Sequence, residues 1–165
     1  MMTDTGLLEA AKRIAAQHQD VIVSLQNNRE PDLLAALAQS VQEAADGSGR
    51  IIRIEPIDVD RLPRDSVSVA LGRRILARWS RTMHDFLCKS GGEEEDLRER
   101  LMSALTNRDG GAVALLAGAL VAAFGVSPAV AALVAALLMK LVIGPAKDEL
   151  CQSWAASLAS AGAQA

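Results

Sequence analysis

Tyrosine is absent from this 165-residue chain, and tryptophan and phenylalanine occur only twice each. Aromatics so few and so scattered cannot form the ladder of stacking surfaces that holds single-stranded nucleic acid. A basic excess is missing too: 17 Lys and Arg face 20 Asp and Glu, a formal charge of -3. Duplex binding rests on a cationic surface that displaces counterions, so no nucleic-acid partner is expected. Cysteine appears twice, as Cys88 and Cys151, with no CxxC pair. Neither a disulfide framework nor a zinc-knuckle spacing is read from that, and a reducing cytoplasm is the expected compartment. The start, Met1 to Gly6, lacks the basic and then apolar pattern of a secretory signal. Gly-rich phosphate loops, GxSxG, HExxH and paired-carboxylate motifs are also missing. The chain is therefore read as non-enzymatic, with no cofactor, no metal and no small-molecule substrate.

What is present is aliphatic. Half the residues are apolar, dominated by Ala, Leu, Val and Ile. Ala and Leu are among the best helix formers, and a chain of this length can bury roughly 70% of the surface it exposes when unfolded. An all-α fold follows: one domain over 1–165, a compact bundle of about six or seven helices around a buried apolar hairpin, with at most one short extended segment near 50–59.

The segments read in order. Residues 1–46 form an N-terminal helix pair. Thr3, Asp4 or Thr5 caps the first helix, whose apolar stripe is Leu7, Ala11, Ile14, His18, Val21, Ile22 and Leu25. Pro31 opens the second, which carries Leu33, Leu34, Leu37, Val41 and Ala44; the two are expected to lie antiparallel against each other. Residues 47–64 are an extended strap: Arg50 to Val59 is β-branched, but Pro56 cannot donate to a ladder. Residues 65–107 hold amphipathic helices. The first should reach Lys89 with Leu71, Ile75, Trp79, Met83, Phe86 and Leu87 on one face and Arg74, Arg78 and Arg81 opposite. The second opens on the run Glu93 to Asp96, where carboxylates complement the helix dipole. Residues 146–160 form a last helix bearing Leu150, Cys151, Trp154 and Leu158.

Residues 108–145 are the distinctive part, because Gly110 to Met139 carry no charged side chain. Gly125, Ser127 and Pro128 divide the run as a C-cap, an N-cap and a first-turn proline. Each half spans roughly 22 Å, short of a hydrocarbon core of about 30 Å. Two readings follow. In one, the halves are core helices, apolar on every side because other helices surround them. In the other, amphipathic helices sheathe a hairpin that leaves them to enter a bilayer. That pattern resembles in outline the hydrophobic hairpin of bacterial pore-forming toxin domains, on no shared motif. The turn has Phe124 alone as an aromatic anchor.

Polar candidates are few. His84 and Cys88 are four apart on one helix with Asp85 adjacent, a spacing that allows imidazole to activate a thiol. His84, Cys88 and Cys151 also offer a partial zinc set. Against both, the cysteines read as small apolar fillers where helices meet. Arg73, Arg74, Arg78 and Arg81 are the best polar docking residues, unless the Glu93 to Asp96 run neutralises them. Ile52, Ile54 and Ile57 on the strap are the second docking candidates. A protein interaction module, self-associating or part of a larger assembly, is the expected function; membrane insertion, with a membrane-associated location, is the alternative.

Overall fold

The computed structural model describes residues 4–45, 66–88, 95–106, 111–143 and 149–163. Seven α-helices account for nearly all of them: α1 Asp4–Leu25, α2 Glu30–Ala45, α3 Ser66–Cys88, α4 Glu95–Thr106, α5 Ala112–Phe124, α6 Pro128–Leu137 and α7 Leu150–Ala163. α6 runs on into a π-helical segment, Leu138–Ile143. The all-α bundle expected from composition is what forms, and among the described residues there is no strand. The strap residues Ile52, Ile54 and Ile57, with the rest of 47–64, lie outside the described residues.

The hairpin is the centre. All nine residues from Ala112 to Leu120 are buried, as are all ten from Ala129 to Leu138. The turn is built as the sequence predicts at Gly125, which adopts the left-handed conformation with φ 67°. Its amide donates to Val121 O at 3.1 Å, and the Val126 amide reaches Leu120 O at 3.3 Å, satisfying the last carbonyls of α5. Ser127 occupies the N-cap position before Pro128, but its side chain caps nothing. The hydroxyl is buried without a partner, and only the backbone carbonyl serves the helix, accepting from Ala131 N at 2.9 Å.

α1 lies along α5, while α2 packs on α3 and α6 and α4 closes against α1 and α5. This corrects the expected helix pair. Both N-terminal helices spend their apolar faces on the central hairpin and its neighbours rather than on each other. Every residue of α2 from Leu33 to Ala38 is buried, so this helix is enclosed all round at mid-length and the predicted stripe undercounted it. A fully buried Leu contributes about 1.5–3 kcal/mol, which makes Leu33, Leu34 and Leu37 a substantial anchor.

The face of α3 is also rotated from expectation. Its buried line is Gly72, Leu76, Ser80, Met83 and Leu87; Ile75, Trp79 and Phe86 only flank it. Gly72 explains the rotation: a Cβ there would overlap the carbonyl of Leu34, so the missing side chain is what lets α2 and α3 touch backbone to backbone.

Candidate interaction surface and the α3–α7 edge

The outer face of α3 carries the predicted docking residues. Arg73, Arg74, Arg78 and Arg81 are all exposed. Arg73 pairs with Glu30 of α2 at 3.7 Å, a contact that ties the two helices at the surface. No ion pair joins Arg74, Arg78 or Arg81 to another described residue, and Asp85 is the one carboxylate α3 contributes. The expected neutralising run is only partly described. Glu95 and Asp96 open α4, whereas Glu93 and Glu94 lie outside the described residues.

On another flank of α3, three aromatics meet. Phe124 at the hairpin tip takes Phe86 edge-on at 5.4 Å and Trp79 edge-on at 6.2 Å. All three are half-buried. Arg98 of α4 covers this group, with its guanidinium 5.9 Å from the Phe86 ring centre and Nε donating to Phe86 O at 2.9 Å. Phe124, alone in sequence, is thus surrounded in space. The partners come from another helix, so no local pattern could announce them.

The opposite edge of α3 is occupied by α7, through residues one turn apart. Trp154 is completely buried and its Nε1 donates to Ser80 Oγ at 2.8 Å. The His84 ring stands edge-on to Trp154 at 5.5 Å, and its Nε2 lies 3.3 Å from the carbonyl oxygen of Cys151. Cys88 and Cys151 are joined as a disulfide with Cα atoms 5.8 Å apart. This overturns two expectations. The cysteines are not separate apolar fillers, and the compartment expectation loses the unpaired thiols on which it rested.

The same edge settles what becomes of the candidate chemistry. His84, Cys88 and Cys151 do converge, but both sulfurs are bonded to each other, so neither is a nucleophile or a metal ligand in this state. Ser80, His84 and Asp85 are the residue types of a hydrolytic triad, and His84 Nδ1 lies 3.7 Å from Asp85 Oδ1, but the imidazole Nε2 faces the Cys151 carbonyl and not the Ser80 hydroxyl. Among the described residues no group of three His, Cys, Asp or Glu side chains is placed to hold a metal ion.

Two further cationic features lie elsewhere. Lys140, from the π-helical segment, donates to Asn28 O at 2.7 Å and Gln26 O at 3.3 Å, just beyond the end of α1. Lys12, Gln19 and Arg100 border a cleft of about 200 Å³ floored by Ala15 and Leu115, between α1, α4 and α5. Lys12 is held there by Glu9 at 3.6 Å.

Among the described residues, no helix is long and apolar enough to cross a membrane. The chain matches no protein-family model, no curated protein and no solved structure.

Proposed function

We propose that this chain is a non-enzymatic helical interaction module that meets an acidic protein surface through the outer face of α3. The observation that carries the reading is the set Arg74, Arg78 and Arg81, exposed on one face and paired to no described residue, on a helix whose other side is fixed in the core. Arginine suits such contacts because its planar fork gives two parallel hydrogen bonds to a carboxylate. Arginine is also among the residue types that dominate interface energetics.

The test is affinity purification from the native host with three forms of the chain. These are the wild type, Arg74→Glu/Arg78→Glu/Arg81→Glu, and a control reversal elsewhere, Lys12→Glu/Arg100→Glu. A partner retained by the wild type and the control but lost from the α3 variant supports the reading. Retention of that partner by the α3 variant contradicts it.

Membrane insertion is the second reading, favoured by one feature, the gathering of Trp79, Phe86 and Phe124 at the hairpin tip. Flotation with anionic vesicles separates the two. Insertion requires the chain to rise with the vesicles and Ala135→Asp to stop it. The module reading expects the wild type to stay in the dense fraction.

A further inference from the structure

We propose that the Cys88–Cys151 disulfide is a redox latch that holds α7 against the Ser80–Cys88 edge of α3, and that a thiol reductant frees α7 while the hairpin core stays folded. The inference does not depend on the arginine face.

α7 meets the body along one narrow stripe. Leu150 and Trp154 are buried and Cys151 and Leu158 half-buried, while Gln152, Ser153, Ala155, Ala156 and Ser157 are exposed. An element with so few buried apolar groups belongs to the low-stability end of a fold and opens locally. What it gains instead is a line of specific ties from Ser80, His84 and Cys88, placed at successive turns of α3. Of these only the disulfide is covalent, and it joins positions 63 residues apart in sequence. While it is intact, α7 cannot leave whatever its non-covalent contacts do. Once it is cut, what holds α7 among the described residues is the packing of Leu150, Trp154 and Leu158 and two polar contacts. Both cysteines are half-buried rather than enclosed.

The chemistry balances with a dithiol as reductant. Its thiolate attacks Cys88 Sγ, the S–S bond breaks, and Cys151 leaves as a thiolate that takes up a proton. The second thiol of the reductant then displaces Cys88 from the mixed disulfide, giving two protein thiols and the oxidised dithiol. The direction of attack follows from the helix ends. Cys151 sits in the first turn of α7, where the positive end of the helix dipole favours the departing anion, whereas Cys88 is the last residue of α3, at the negative end of its dipole, which disfavours it. Release uncovers the Ser80 hydroxyl, the His84 ring and the indole of Trp154.

Hydrogen exchange of the full chain with and without dithiothreitol tests this, with thiol titration confirming that two thiols have appeared. On reduction, amides of α7 should lose protection roughly a hundredfold, the scale of a cross-link's effect on an opened segment, while those of α5 and α6 change less than about twofold. The double variant Cys88→Ser/Cys151→Ser should show the reduced pattern in both buffers. Unchanged α7 protection after complete reduction overturns the proposal. So does an equal loss in α5 and α6, which would make the bond a staple of the whole fold, or a double variant that still responds to dithiothreitol.

Discussion

Gly118 of α5 lies so close to Ala11 of α1 that a Cβ on the glycine would overlap the alanine carbonyl and stand 3.0 Å from its carbon. The obstacle is backbone, which cannot swing aside as a side chain does. Gly118→Ala should therefore destabilise by about 1–2 kcal/mol, the overpacking cost outweighing the gain in helix propensity. Gly72→Ala should behave alike, because Leu34 O stands in the same relation to it. Gly125→Ala has nothing within 4 Å to strike, yet its φ of 67° predicts a loss of about 1 kcal/mol from conformation alone. Denaturant titration of the three variants checks these values, and a stabilised Gly118→Ala would refute the close contact.

Lys140 places its ammonium just past the C-terminus of α1, with bonds to Gln26 O and Asn28 O in the turn that follows the helix. A cation at a helix C-terminus contributes about 0.3–1 kcal/mol at low salt. Lys140→Gln should lose that much, and the loss should shrink in 1 M salt because the site is exposed and screened. Thermal melts at two salt concentrations decide it; an equal loss in both would assign the effect to packing.

Ser80 and Trp154 are the buried polar pair of the α3–α7 edge. Ser80→Ala leaves the Trp154 N–H buried without an acceptor, which costs about 1–3 kcal/mol. In a Trp154→Phe background the same change should cost far less, since no donor is left stranded. A double-mutant cycle measures the difference, and additive values would mean that the bond does not form in solution.

Ser127 looks like a cap in sequence but has a buried hydroxyl with no partner. Removing a working cap costs about 1 kcal/mol. Ser127→Ala should instead be neutral or slightly stabilising, and a full loss by denaturant titration would show the hydroxyl capping after all.

The hairpin could be read from the chain because its signals are local. An uncharged run, a glycine that accepts positive φ and a proline at a first turn each act within a few residues, and α5, Gly125 and α6 follow them. The outward arginines of α3 were readable for the same reason, as helical periodicity fixes which residues face away from Leu76 and Met83. Contacts between distant segments left no such trace. Nothing near Cys88 points to Cys151, nothing near Ser80 points to Trp154, and the Phe124 partners lie on another helix. Gly118 belongs to a run of small residues that permits close backbone approach, whereas nothing around Gly72 names Leu34 as the backbone it meets. The pairing of α1 with α5 rather than α2 reflects a core that draws every apolar face toward it.

The central claim is that α5 and α6 form a dry core enclosed by the other helices, in the absence of any lipid. Hydrogen exchange of the purified chain in detergent-free buffer tests it most directly. Amides of 115–120 and 132–138 should be the slowest in the protein, exchanging only through global unfolding and with no change when anionic vesicles are added. Exchange there as fast as in α7, or protection that arises only with vesicles, would contradict the account.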